Sequence, residues 1–489
     1  MVLTNTKGVQ TPALNSTQVD RLLEQIDQPS SPEARRALAD SFSVTSRQAN
    51  PVDAARLTAA AQALYGQKDL PSTKAGGAAG AMLQAANFNA PVQARSSDFF
   101  QEGLSRVEQW LYWETNASFK EVRRPYQQID MSIVHAPKSE VGKRSVPASV
   151  LPEGIENTFE AAGHIAWPQH PNNTVDKISL PNGNSIPIPY AKSQKGEQWK
   201  AWHTASRSMI VKSPSTDQLF SVKLPTNFPT PHMEAQHKAN LVNHTVIAVR
   251  RGSHILESDS RGAKHPELVL QPDVAAYFDK TSENGFTIRD ITSFLDNENY
   301  YMPGFALPQY GEQFGLDANE FMNETIAPMW GRNKALLLLR YGLYLKSPHG
   351  QNTVFQLDKD KNLTGQVTLR DLSDTSFVGP VAEALGYTKQ VQDDKQGGYT
   401  VIDELKKDWS ISVPGLDHTK YFNYSDMMMA EKAHYKAFID TVRDELGKVA
   451  PDFSNKVGQC QDLDQLQGLL FSDEGKAALG QYGKQELGL

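Results

Sequence analysis

Residues 341–374 read YGLYLKSPHGQNTVFQLDKDKNLTGQVTLRDLSD, and the folding of this stretch organises the rest of the chain. An apolar lead-in runs to Leu345, a polar cluster follows at His349, Gly350, Gln351 and Asn352, and Thr353 to Leu357 alternates apolar and polar. A turn rich in Asp, Lys and Asn spans Asp358 to Asn362, and a second alternating run, Gln366 to Leu369, delivers Arg370 and Asp371. Period-two alternation on both sides of such a turn predicts a β-hairpin. The polar cluster and Arg370-Asp371 then lie at the same end of it. An imidazole, two amides, a guanidinium and a carboxylate gathered in one place suit a nucleotide phosphate with its magnesium ion. The structural alternative is that His349 and Asn352 cap a helix end and Asp371 starts a turn, an Arg beside an Asp also being a common structural pair.

The chain has 489 residues, more than one hydrophobic core usually serves, so several subdomains are expected. Its formal net charge is −7, with acids and bases interspersed, which exerts no global pull toward nucleic acid or membrane. An anionic ligand therefore needs a local basic pocket. Cys460 is the single cysteine, which excludes an internal disulfide framework, a CxxC redox pair and a cysteine zinc site. No run approaches the ~18 uninterrupted apolar residues of a membrane span, and the start MVLTNTKGVQTPALNST lacks the apolar core of a secretory signal. The expectation is a cytoplasmic catalyst or binder that associates with neither nucleic acid nor membrane.

Composition divides the chain into four parts. Residues 1–95 are rich in Ala, Gln, Ser and Thr, with KAGGAAGA at 74–81, and read as an appended segment with short helices at Val19–Ile26 and Pro51–Leu64. Residues 96–240 form a mixed subdomain opened by an amphipathic helix over Asp98–Trp113, then strands and loops punctuated by Pro, Asn and Gly. Residues 241–380 form the central subdomain with the hairpin. Thr245–Val249 reads there as a strand, and Glu320–Leu339 as a helix leading into the focal stretch. Residues 381–489 are expected to be helical, with a helix from Ser425 to about Leu446 whose stripe Met428, Tyr435, Ile439, Val442 and Leu446 faces a core.

The text LLLLRYGLYLKSPHGQNTVFQLDKDKNLTGQVTLRD, residues 336–371, resembles the nucleotide-site stretch of the NRPS-independent siderophore synthetases, the aerobactin synthetase-like family. In that family a helix ends in Tyr-Gly, and Glu-Ala-His-Gly-Gln-Asn, a strand, a turn, a second strand and Arg-Asp follow. This chain departs in having Lys346 or Ser347 where the Glu is expected, Pro348 for Ala, and one residue added. Upstream, AAGHIAWPQHPNNTVDK resembles the family's paired His-Pro region, and FSVKLPTNFPTPHMEAQHKANL its Lys-Leu-Ser strand, with Pro225 and Pro229 where Ser and Arg are expected. The resemblance implies an α+β fold of several subdomains (fingers, palm and thumb), with antiparallel sheets carrying the nucleotide site and a helical C-terminal part. It also implies an ATP-dependent ligase that adenylates a citrate-like polycarboxylate and condenses it with an amine, hydroxylamine or alcohol. On this reading His349, Arg370 and Lys177 serve catalysis, and His349, Gln351, Asn352, Lys223, Thr230, Lys238, His170 and His164 contact ATP. Asp371 and Asn352 hold Mg2+, and the family's members are often homodimers. Arg250, Arg251 and His254 are alternative cations.

Two other readings stand beside it. Choline and aminoglycoside kinases carry His-Gly-Asp with a later Asn and a metal-binding Asp in a similar hairpin. Here Gln351 follows His349-Gly350, and Asn352 comes too soon. A non-catalytic relative that binds ATP or a carboxylic acid is favoured by the missing Glu and the two prolines.

Overall fold

The computed structural model describes residues 99–116, 127–171, 173, 177–179, 185–190, 197–204, 207–214, 218–226, 242–291, 296, 298–345, 350–405 and 424–489. The helices expected at Val19–Ile26 and Pro51–Leu64, and the whole 1–95 segment, lie outside the described residues. So do Thr230, Lys238, Lys346, Ser347 and His349. The described residues all fall in one compact unit, Gln93–Asn227 with His237–Leu489.

The first helix, Arg106–Asn116, starts later than the apolar spacing predicts. Its start is set by a reciprocal cap: the Glu108 N–H donates to Ser105 Oγ at 3.2 Å, and the Ser105 N–H donates to Glu108 Oε2 at 2.9 Å. The strands that follow are β1 (Ile129–Pro137), β2 (Val141–Ser145), β3 (Glu160–Ala161), β4 (His164–Pro168), β5 (Lys177–Ser179), β6 (Ser185–Pro187), β7 (Gln198–His203), β8 (Ser208–Lys212) and β9 (Leu219–Lys223). After the helix Val242–Arg261 come β10 (Leu268–Gln271), β11 (Asp273–Asp279), β12 (Gly285–Asp290) and β13 (Tyr300–Pro303).

A nine-stranded sheet in the order β2-β11-β12-β9-β8-β7-β1-β4-β3 carries most of these strands. One face packs Met131, Ile133, Trp167, Trp199, Phe220, Val222, Phe286 and Ile288 into a core with Phe159 of the short helix Ile155–Phe159. Because successive side chains alternate, Lys223 and Arg289 project from the opposite face. On that face Ile210 packs with Trp110 and Leu111 of the first helix and with Val354 of the hairpin.

The expected strand at Thr245–Val249 is part of the helix Val242–Arg261 instead. The buried positions Thr245, Ala248, Val249, Gly252 and Ile255 recur at helical spacing, and that period outweighs the β-branched content of the short window. Arg250 and Arg251 consequently sit on a helix, where both pair with Asp394, at 3.3 and 2.6 Å. His254 is buried against Phe377 and Tyr387.

The helix leading to the focal stretch runs Ala318–Glu320, then a π-helical segment Phe321–Ile326, then Ala327–Tyr341. Pro328 cannot donate to an α-helical ladder, and the wider π turn precedes it. Ala335 to Leu339 are all buried, as expected of a helix apolar on every side. Gly331 allows the helix Tyr424–Gly447 to approach closely, since a Cβ there would lie 2.1 Å from the His434 carbonyl oxygen. Gly342, with φ 67°, closes the helix by donating its N–H to the Leu338 carbonyl at 2.8 Å.

β14 (Leu343–Leu345) follows at once, then β15 (Thr353–Leu357), β16 (Leu363–Arg370) and β17 (Thr375–Val378). β15 and β16 form the antiparallel hairpin that the alternation predicts, with Thr353 opposite Leu369. Its turn is held by Asp358, whose carboxylate accepts the N–H groups of Asp360 and Asn362 at 2.8 and 2.9 Å. The sheet holding the hairpin, in the order β10-β16-β15-β13, is mixed and not wholly antiparallel, because β10 runs parallel to β16.

β14 and β17 pair with each other, so the hairpin is an excursion whose two ends leave and re-enter a second sheet side by side. That sheet is completed by β18 (Val401–Ile402). Beyond it, Gly379–Leu385, Thr388–Gln396, Tyr424–Gly447, Pro451–Val457, Leu463–Phe471 and Asp473–Glu486 are helices, as expected. Ile439, Val442 and Leu446 are buried in one core with Leu336 to Leu339, Val381 and Tyr482. Strands from both sides of residue 240 share the large sheet, and this core continues across residue 380. Among the described residues, the parts expected at 96–240, 241–380 and 381–489 thus share sheets and cores. None of the described helices is long and apolar enough to cross a membrane.

Candidate functional site

The end of the hairpin meets the Lys223–Arg289 face of the large sheet because one chain segment joins them. Gln271 of β10 pairs with Arg370 of β16, and after Pro272 the same chain enters the large sheet at Asp273 of β11. Asp371 is thereby delivered beside Asp273, which is opposite Arg289 of β12, and Arg289 is one strand from Lys223 of β9, whose direct partner on β12 is Thr287.

Four charged groups meet there by direct contact. Lys223 Nζ donates to both carboxylate oxygens of Asp371, at 2.7 and 2.8 Å. Arg289 Nη2 donates to Asp371 Oδ1 at 2.9 Å, and its Nε and Nη2 donate to the two oxygens of Asp273 at 3.0 and 3.2 Å. Ser373 Oγ adds a bond to Asp371 Oδ1 at 3.2 Å. Arg207, in the turn between β7 and β8, stands near enough for its charge to act on Asp371. The Lys223 and Asp371 side chains keep 18 and 21 % of their surface, so the cluster opens to solvent at one side.

The electrostatics follow from partial burial among mixed charges. Burial by itself would raise the Asp371 pKa, but Lys223, Arg289 and Arg207 hold the carboxyl well below the usual carboxylate range. Burial lowers Lys223, against the pull of Asp371 and together with the repulsion of Arg207 and Arg289. Arg207 is brought down to about 10 by burial, with Asp371 opposing. Arg289 is raised, because Asp273 and Asp371 outweigh its burial. Three cations face two carboxylates, an arrangement that favours an additional oxyanion.

The residues expected at the site divide into three groups. Lys223 and Asp371 are brought together. Asn352 is buried at the hairpin end, in the 3-10 turn Gly350–Asn352 that also contains Gln351. Arg370 is committed elsewhere: Nη1 and Nη2 donate to Glu114 of the first helix at 2.6 and 3.1 Å, and Trp110 Nε1 donates to the same carboxylate at 3.0 Å. Glu114 is wholly buried, so this pair fixes the hairpin end against the helix.

His164 does not join the cluster. It stacks on His135 with ring centroids 4.8 Å apart, on β4, four strands along the sheet from β9. At ~4.8 Å per strand that is roughly 19 Å. His170 is buried with its ring 5.7 Å from His203, at the end of β7 that leads into the Arg207 turn. Lys177 is exposed at the start of β5, and no contact places it at the cluster.

Sequence reasoning missed Arg207, Arg289, Asp273 and Glu114. Only Glu114 left a signal. It stands four residues after Trp110 on a face that is otherwise apolar, and a lone charge on a buried stripe calls for a buried partner.

Magnesium does not fit the described arrangement. Both Asp371 oxygens already accept from an ammonium or a guanidinium, and a divalent ion there would face two like charges at contact distance. Among the described residues no group of three His, Cys, Asp or Glu is placed to hold a metal ion. The cationic groups do fit phosphate oxygens.

No protein-family model and no curated protein matches the chain. Among solved structures it is similar to the petrobactin biosynthesis protein AsbB from Bacillus anthracis strain Sterne, at 11% identity and a TM-score of 0.48 over 76% of this chain and 71% of that one. It is also similar to aerobactin synthetase IucC from a hypervirulent pathotype of Klebsiella pneumoniae, at 13% identity and a TM-score of 0.46 over 93% of this chain and 80% of that one. The ATP-bound aerobactin synthetase IucA from the same pathotype aligns over 93% of this chain and 80% of its own, at 14% identity and a TM-score of 0.43.

Proposed function

We propose that this chain is an ATP-dependent ligase that adenylates a citrate-like polycarboxylate and condenses it with an amine, hydroxylamine or alcohol. The observation that carries the reading is the position of the hairpin end. Asp371, which follows the hairpin's second strand, meets Lys223 and Arg289 and feels the charge of Arg207, so positive charge collects at a residue that the resemblance assigns to a nucleotide site.

In this reading the three cations bind phosphate oxygens of ATP and neutralise the charge that develops as pyrophosphate leaves. A carboxylate oxygen of the acid bonds to the α-phosphorus as the bond to the pyrophosphate oxygen breaks. The nucleophile then bonds to the activated carbonyl carbon, AMP departs, and the nucleophile's proton passes to solvent or a base. The protein's contribution is alignment and charge, which requires no covalent nucleophile. No step is assigned to a metal ion.

The pairing of Asp371 with Lys223 and Arg289, together with Lys346 or Ser347 where the resemblance expects Glu, supports a second reading: a non-catalytic relative that binds ATP or a carboxylic acid. A panel of polycarboxylates incubated with ATP and hydroxylamine separates the possibilities by nucleotide product. AMP with pyrophosphate, lost in His349→Ala, is expected of the ligase. ADP would indicate a kinase of the choline or aminoglycoside type, and unchanged ATP with measurable binding would indicate the non-catalytic relative.

A further inference from the structure

We propose that Asp371 is the built-in counter-anion of an oxyanion cradle formed by Lys223, Arg207 and Arg289, standing in the place of a phosphate group instead of holding a metal ion. The inference rests on the ligase reading for the identity of the oxyanion as a nucleotide phosphate. The cradle itself rests on the contacts of Lys223 and Arg289 with Asp371, to which Arg207 adds its charge.

A carboxylate that ligates a divalent cation must present an oxygen to it. Asp371 presents both of its oxygens to cations of the protein: Oδ1 accepts from Lys223 at 2.7 Å and from Arg289 at 2.9 Å, and Oδ2 accepts from Lys223 at 2.8 Å. These are the contacts that a phosphate oxygen would make with an ammonium and a guanidinium. The backbone is set for this role. Asp371 is in the left-handed region, at φ 61° and ψ 50°, immediately after β16 ends, which turns its carboxylate onto the large sheet and away from the strand's own line.

The cradle does not depend on Asp371 for its shape. Arg289 is separately fixed by Asp273 through two bonds of 3.0 and 3.2 Å, and Lys223 lies within a strand paired on both sides, to Ser208 and to Thr287. An oxyanion that takes over the contacts of Asp371 therefore meets donors already in position. The carboxylate competes with the ligand for those donors, and so lowers affinity for it while balancing their charge when no ligand is bound.

The two roles predict opposite signs. Asn is isosteric with Asp and tolerates the left-handed backbone, so Asp371→Asn removes the charge alone. Titration of inorganic pyrophosphate in a chelating, metal-free buffer should show this variant binding at least ~10-fold more tightly than the wild type, since one competing negative charge at contact distance has gone. Lys223→Met should abolish the gain. Pyrophosphate bound no more tightly by Asp371→Asn, or a loss of affinity confined to magnesium-containing buffer, would overturn the proposal in favour of a metal ligand.

If removing the carboxylate loosens the fold, thermal melting gives the same answer. Pyrophosphate should then raise the melting temperature of Asp371→Asn more than that of the wild type, and an equal or smaller rise overturns the proposal. A wild type that releases no AMP, with a variant that gains pyrophosphate affinity, keeps the counter-anion and removes the ligase reading. Turnover without the gain does the reverse.

Discussion

Lys223 and Asp371 lie 148 positions apart in sequence and meet through two contacts, of 2.7 and 2.8 Å. The first ends the strand β9 of the large sheet, the second follows the last residue of the hairpin, and their meeting joins the two sheets. Lys223→Met should therefore act on function more than on fold. Arg289 still pairs with Asp371, so the melting temperature should change little, whereas acid-dependent pyrophosphate release should fall by about 10²-fold or more. Normal release by this variant would remove Lys223 from the site.

Glu114→Gln tests the buried pair behind the hairpin. It leaves the Arg370 guanidinium facing a neutral amide in a site where Glu114 has no exposure, and should cost roughly 3 kcal/mol or more in urea unfolding. The double variant Glu114→Met with Arg370→Met should recover much of that loss, since apolar groups of similar volume need no partner. A double variant as unstable as Glu114→Gln would show that the charge pair is not what the position requires.

His254 sets a pH dependence of stability. Burial first, and then the nearby Arg251 and Arg261, bring its pKa from the ordinary 6.5 down to about 3, with the bond to the Tyr341 carbonyl opposing. The ring is therefore neutral in the folded state at pH values where the unfolded chain already binds a proton. Stability from this group is complete above pH 6.5 and falls as the pH drops toward 3. The expected loss over that window is on the order of 3–5 kcal/mol. In His254→Gln, whose amide can donate to the same carbonyl but does not titrate, unfolding free energy measured between pH 7 and 4 should be flatter.

Gly331→Ala tests the close approach of two helices. The added Cβ would lie 2.1 Å from the His434 carbonyl oxygen and 3.1 Å from the Phe438 nitrogen, so the helix Tyr424–Gly447 must move. A loss of about 2 kcal/mol or more is expected, read as a lower midpoint in denaturant at unchanged far-UV circular dichroism. An unchanged midpoint would mean that the two helices are not held at this distance in solution.

The elements that repeat at a fixed period were legible in the residues alone. Alternation at Thr353–Leu357 and Gln366–Leu369, with Asp358 in the turn, determined the hairpin, and the leucine run closed by Gly342 determined the helix before it. The C-terminal helices were equally plain, because Ile439, Val442 and Leu446 recur on one side. Period reports which side of an element is buried and says nothing of what buries it. The strand expected at Thr245–Val249 failed for a related reason, since a window of five residues is too short for the helical period to show.

The site itself was half legible. Lys223 and Asp371 were named from a resemblance in the text around them, whereas Arg207, Arg289 and Asp273 sit in stretches with no pattern of their own. Tertiary structure alone brought them to Asp371, by passing the chain from one sheet to the next at Pro272, and it alone turned Arg370 away toward Glu114. A charge acquires its role from the charges that folding places within a few ångströms of it, and here those lie on strands far apart in sequence.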